Sequence, residues 1–165
     1  MAKYRLQALL EIRERAKKEA EELFAQAMQY LAEEKERLRQ EEELLEQMIA
    51  DRHRRREDYA QKLATGEMKI TDQSNAYRYI ERLKEKEVEQ QTVIDAQQEQ
   101  VREAEKEVRR AQEALVLATQ DLKALEKHKE KWEEEVRKER QMREENIMDE
   151  IGQSIFQQQL KNRNR

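Results

Sequence analysis

Apolar residues recur along this chain at alternating spacings of three and four. One series steps seven residues at a time through Ile80, Glu87, Ile94, Val101, Val108, Leu115, Leu122, Lys129 and Val136. Its companion runs Leu83, Gln90, Gln97, Ala104, Ala111, Ala118, Leu125 and Trp132. Flanking positions are mostly charged or Gln. This is the heptad pattern of a coiled coil, and it predicts one long helix over roughly residues 72–155. A matching stripe lies upstream. Leu9, Ala16, Leu23 and Tyr30 are heptad-spaced, with Ala20 and Ala27 between them. Leu31, Leu38, Leu45 and Tyr59 resume the series one residue later. This predicts a helix over roughly residues 3–64, with a skip near Tyr30 that disturbs the supercoil. Toward residue 64 the seam weakens, because Glu34, Glu41, Arg52 and Arg55 fall at core-like positions.

A single break separates the two patterns, at about residues 65–71. Gly66 suits the left-handed geometry that ends a helix. Thr71 or Asp72 suits the cap of the next one. So short a turn makes antiparallel neighbours. The predicted fold is all-α: two long helices forming one antiparallel coiled-coil hairpin, the second helix longer. Pairing about the turn places Leu45 near Thr92, Leu23 near Ala114 and Leu9 near His128. Ala16, Ala20 and Ala27 then lie close to Ala111, Ala114 and Ala118, which permits close helix approach. At about 1.5 Å per residue, the helices are ~90 Å and ~125 Å long. The second therefore overhangs from about Val136. There Glu133–Arg137, Glu134–Lys138 and Glu139–Arg143 can pair at i,i+4. The C-terminal residues are expected to fray, ordering only against a partner.

Composition removes the main alternative, disorder. The chain is 44% charged, and proline is absent and glycine occurs only twice. Disordered segments are usually rich in Pro, Gly and Ser. Acidic and basic residues nearly cancel, 38 against 34, so self-repulsion is weak. There is no cysteine, which excludes a disulfide framework and thiolate chemistry. No apolar run approaches a signal peptide or a membrane span, so a cytoplasmic protein without direct membrane insertion is expected.

Candidate chemistry is sparse. His53 and His128 fall far apart, with no cysteine to complete a metal site, and read as solvated surface residues. Carboxylates abound, but a two-helix hairpin offers no pocket to shift their pKa values. No phosphate-binding loop or nucleophile motif occurs. The reading is of a non-enzyme with no cofactor. The run Arg52-His53-Arg54-Arg55-Arg56 is basic, but Asp51, Glu57 and Asp58 flank it. A solvated or partner-facing cluster is favoured over nucleic acid. Tyr59, Tyr77 and Tyr79 lie close to the turn, where they serve as interface anchors or pack across the last heptads. Trp132 sits on the seam opposite the start of the first helix, packing on Leu6 or Leu9 or anchoring a partner. Ile147, Met148, Ile151, Ile155, Phe156 and Leu160 form an apolar stripe with nothing in the chain to cover it. Such a stripe marks a partner site, self-association or a fold-back.

Two terminal motifs carry a resemblance. The opening Tyr4-Arg5-Leu6-Gln7-Ala8-Leu9-Leu10-Glu11-Ile12-Arg13 resembles the start of the YscO/SctO proteins of type III secretion and their flagellar relative FliJ. His128-Lys129-Glu130-Lys131-Trp132 and Asp149-Glu150-Ile151-Gly152-Gln153 look closer to the YscO branch. The resemblance implies the central stalk of a secretion ATPase at the cytoplasmic face of the apparatus. Its open end would enter the hexameric ATPase pore, and its turn end would reach the export gate's cytoplasmic ring. Escort chaperones are a further implied partner. Position and chemistry nominate Arg5, Arg13, Lys17, Trp132, Arg137, Lys138, Arg140 and Arg143 for the ATPase. Met48, Tyr59, Tyr77 and Tyr79 are nominated for the gate. The competing readings are a tether or rotary-ATPase stalk adaptor outside secretion, a nucleic-acid-binding coiled coil, and an intermolecular rod.

Overall fold

A computed structural model describes residues 2–165. The chain is all-α: two long helices packed against each other, the second longer. Helix α1 spans Gln7–Ala64 and α2 spans Ile70–Arg163, 58 and 94 residues. Contacts group the chain into two compact units. One holds Met1–Ala20 and Leu115–Arg165, the other Glu21–Ala114.

The α2 seam follows the heptads closely. Ile80, Ile94, Val101, Ala104 and Leu122 are buried, and every other member of both series is half-buried. On α1 the seam lies elsewhere than expected. Leu9, Leu23 and Tyr30 are exposed, while Leu10 and Ala20 are buried and Phe24, Ala27 and Leu31 are half-buried. Heptads therefore run unbroken from Leu10 through Lys17, Phe24, Leu31, Leu38, Leu45 and Arg52 to Tyr59. No skip at Tyr30 is needed. The sequence hid this because Lys17 takes a core position, where its methylene stem can cover apolar surface.

The register also differs. Tyr4, not Leu9, meets His128, and Glu41 rather than Leu45 faces the Gln90 region. The turn accounts for this. Gly66 takes φ 78° one residue beyond Thr65, which follows α1. The Met68 amide and the Thr65 hydroxyl both donate to the Lys62 carbonyl, at 3.2 and 3.3 Å. The chain therefore pivots at Gly66, not midway through residues 65–71. Because α2 already starts at Ile70, Thr71 and Asp72 lie inside its first turn. Asp72 there complements the positive end of the helix dipole. At the other end of α1, the helix starts at Gln7 rather than near residue 3. The C-terminal helix continues to Arg163 instead of ending near 155.

In the Glu21–Ala114 unit, the polar residues on the seam pair across it. Gln97 Nε2 donates to the Glu34 carbonyl at 3.0 Å and to its carboxylate at 2.5 Å. One heptad away, Gln90 Nε2 does the same to Glu41, at 3.0 and 2.6 Å. Closer to the turn, Arg52 and Glu87 form an ion pair at 2.7 Å with both side chains largely shielded. Arg55 is the exception, being exposed.

Small residues let the helices approach closely at one level. Ala104 is only 1% exposed, and Ala27 and Ala111 are half-buried, whereas Ala114 is exposed and off the seam. Leucine at position 104 would have to push the helices apart. Ala104→Leu is expected to destabilise the unit by about 1–3 kcal/mol, read as a lower urea midpoint at unchanged slope. An unchanged midpoint would mean the seam is slack at this level.

Candidate interaction surfaces

The open end is built around residues that precede α1. Tyr4 stands outside the helix, and its carbonyl accepts the Gln7 amide at 3.2 Å. That position frees its ring to fold onto α2. The ring lies 5.2 Å from Trp132 and 5.7 Å from His128, tilted to both, and is 8% exposed. Its hydroxyl shares a 2.6 Å hydrogen bond with His128 Nδ1. Lys129 Nζ donates to Gln7 at 3.0 Å. Trp132 thus packs on Tyr4, a partner the heptads did not indicate, and the aromatic clasp closes the mouth of the hairpin.

The residues nominated for an ATPase contact divide here. Arg13 reaches across to Asp121 at 3.3 Å. Lys17 is half-buried on the seam, and Trp132 is half-buried under Tyr4. Arg5 is exposed beside the clasp. Arg137, Lys138, Arg140 and Arg143 are exposed on the part of α2 that has no α1 beside it. Lys138 pairs with Glu134 at 3.2 Å. Among the described residues, Arg137, Arg140 and Arg143 form no ion pair. Every residue from 137 to 165 is exposed, including the apolar stripe, whose members are 44–67% exposed.

The turn end carries a shallow groove of about 440 Å³. Tyr59, Leu63, Met68, Ala76, Tyr77 and Ile80 line it, with Arg56, Glu81 and Lys84 among its polar members. Tyr59 and Tyr77 thus share one groove. Tyr79 does not line the groove and lies under Arg55, whose guanidinium is 5.3 Å from the ring centroid. Asp51 holds Arg55 in place at 2.9 Å and raises its pKa further. Met48 is half-buried on the seam, away from the groove lining. Leu63 and Met68, which the sequence did not single out, form part of the groove's apolar wall. Both flank Gly66, and their proximity to the break drew attention to the turn instead of its apolar wall.

The basic run before the turn is distributed around the helix. Arg52 pairs with Glu87, Arg54 and Arg55 with Asp51, and Arg56 lines the groove. Among the described residues there is no cluster of metal-ligating side chains. Among them, too, no helix is long and apolar enough to cross a membrane.

Known proteins give one consistent answer. The family model for YscO-like proteins matches residues 1–162. The solved structure of a proposed YscO homolog, CT670, from Chlamydia trachomatis superposes with a TM-score of 0.79 at 26% identity, covering 95% of this chain and 96% of that one. No curated protein matches by sequence. With the matched span covering nearly every residue, both terminal motifs included, the chain belongs to the YscO-like family.

Proposed function

We propose that this protein is the central stalk of a type III secretion export apparatus. Its open end contacts the pore of the hexameric secretion ATPase, and its turn end contacts the export gate ring. Family membership supports the coarser statement, that the chain is a YscO-like type III secretion component. The observation that carries the finer reading is the bare stretch of α2 beyond Val136. It presents Arg137, Arg140 and Arg143 without acidic partners, directly after the Trp132 clasp. Cations in this state are available to acidic pore loops. Two helices cannot meet a ring of equivalent subunits equally, so such a stalk would break the ring's symmetry and bias its cycle. The surface ion pairs that do form are mainly i,i+3 and i,i+4 pairs along one helix. Screened contacts of that kind are individually weak, which suits a stalk that shifts between subunits. Escort chaperones are additional candidate partners. The protein acts by binding and needs no cofactor.

The test is ATP hydrolysis by the cognate secretion ATPase, with and without the protein, at near-physiological salt. Stimulation is expected, and it should fall at least tenfold when Arg137, Arg140 and Arg143 are all changed to Glu. These are surface positions, so the hairpin itself should be little affected. Absence of stimulation together with absence of co-elution at low salt would leave a coiled-coil adaptor outside secretion as the better account.

A further inference from the structure

The exposed apolar face of the C-terminal helix has an internal pattern. Ile147, Ile151 and Ile155 form one row at i,i+4. Met148, Gly152, Phe156 and Leu160 form the adjacent row, broken by a gap at Gly152. Rows of this kind are the ridges that helices pack with. Nothing inside the chain explains the gap. Gly152 lies mid-helix with ordinary backbone, and a methyl group added there would meet no atom within 4 Å. Glycine weakens a helix interior relative to alanine. Its usual reason in regular backbone is close approach by another group.

Charge is arranged around the same gap. On its N-terminal side Glu144, Glu145, Asp149 and Glu150 follow Arg140 and Arg143, and acidic residues outnumber basic ones there. Lys161, Arg163 and Arg165 lie on its C-terminal side, with no charged residue from 151 to 160. A parallel copy would set like charges side by side. An antiparallel copy would set the acidic block against the basic end.

From this we infer that the C-terminal segment of α2 is a self-complementary interface, pairing antiparallel with the same segment of a second copy of this chain. Aligned about Ser154, Phe156 of each copy enters the gap at Gly152 of the other. Leu160 then meets Ile147 and Met148, and Arg163 meets Glu144 and Glu145. The contact is isologous, so it closes at a dimer and does not propagate. It buries roughly 1,000 Å² in total, at the low end for specific interfaces. A weak dimer that an ATPase can separate is therefore expected. This goes beyond the stalk reading and is tested without the ATPase, so either can fail alone.

Sedimentation of the full-length protein across 1–300 µM (roughly the range a small interface needs) is expected to show a monomer–dimer equilibrium. Phe156→Glu and Gly152→Gln should each weaken it at least tenfold, although glutamine is the better helix former. Arg163→Glu combined with Lys161→Glu should also weaken it. Adding Glu144→Arg and Glu145→Arg to that variant should restore it, since the opposed charges are then exchanged. A monomer throughout the range would overturn the inference. So would a dimer indifferent to Phe156→Glu and Gly152→Gln, or charge exchange that fails to restore pairing.

Discussion

Replacing Gln97 with leucine is expected to destabilise the hairpin by about 2–4 kcal/mol, although it adds apolar surface to a seam position. Glu34 is 4% exposed. Both Nε2 hydrogens of Gln97 are used on it, one on the carbonyl and one on the carboxylate. Leucine removes both and leaves the carboxylate shielded from water. Arg37 cannot compensate: it reaches Glu34 only at 3.6 Å from a largely exposed position. Changing Glu34 to leucine as well should recover most of the loss, because a buried polar pair replaced by apolar residues is often neutral. A double-mutant cycle by urea unfolding should therefore give a coupling of about 2 kcal/mol or more. Additive single effects would show that Glu34 is solvated and that the layer contributes nothing.

The same layers explain how the hairpin holds its register. An apolar seam of heptads tolerates a slip by seven residues with little loss. Here Glu34 and Glu41 are one heptad apart on α1, and Gln97 and Gln90 are one heptad apart on α2. A slip by one heptad keeps one Glu–Gln pair and leaves a glutamate and a glutamine facing apolar residues. Only the observed alignment satisfies both, and Arg52–Glu87 adds a third constraint. A polar residue at a seam position is the best-attested device for fixing register.

What could be read from the sequence divides along physical lines. The α2 seam was legible because its apolar residues and its heptads coincide from Ile80 to Val136. The α1 seam was not, because apolar residues of similar size lie directly beside it. Leu9, Leu23 and Tyr30 attract attention by hydropathy, yet Lys17 and Glu34 hold core positions. A lysine stem and a paired glutamate are invisible to any scale that scores residues singly. The break at Gly66 was legible, but the pivot was expected midway through residues 65–71, whereas it depends on two donors sharing the Lys62 carbonyl. No composition rule predicts that, and the error propagated into every cross-helix pairing. Of the candidate surfaces, the uncovered stripe after Val136 followed from the unequal helix lengths. The Tyr4 clasp did not, because it needs Tyr4 to lie outside the helix that its neighbours favour. At the tip, counting aromatics picks out Tyr59, Tyr77 and Tyr79 alike, while the fold sets Tyr59 and Tyr77 in the groove and Tyr79 under Arg55.

Tyr4→Ala is expected to loosen the open end by about 3 kcal/mol, the usual scale for removing a buried aromatic. Most of that comes from the ring, which contacts Trp132 and His128 at 5.2 and 5.7 Å. The hydroxyl contributes less, since His128 is exposed and water can replace the bond. Tyr4→Phe should accordingly cost under about 1 kcal/mol. The effect is local, because the clasp precedes α1 and touches only the start of the hairpin. Amide protection over the first turns of α1 should fall roughly a hundredfold, while protection beside Ala104 stays unchanged. Trp132 is the sole tryptophan, so its emission reports the clasp without interference. It should shift to the red in Tyr4→Ala and stay nearly fixed in Tyr4→Phe. An unshifted emission in Tyr4→Ala would mean that Trp132 is held by other neighbours. If the shift occurs, the clasp is what keeps the start of α1 closed over α2 just ahead of the bare basic segment. Tyr4→Ala should then also weaken stimulation of the ATPase, with Arg137, Arg140 and Arg143 all intact, because the free end of α1 would compete for the space in which those side chains must dock.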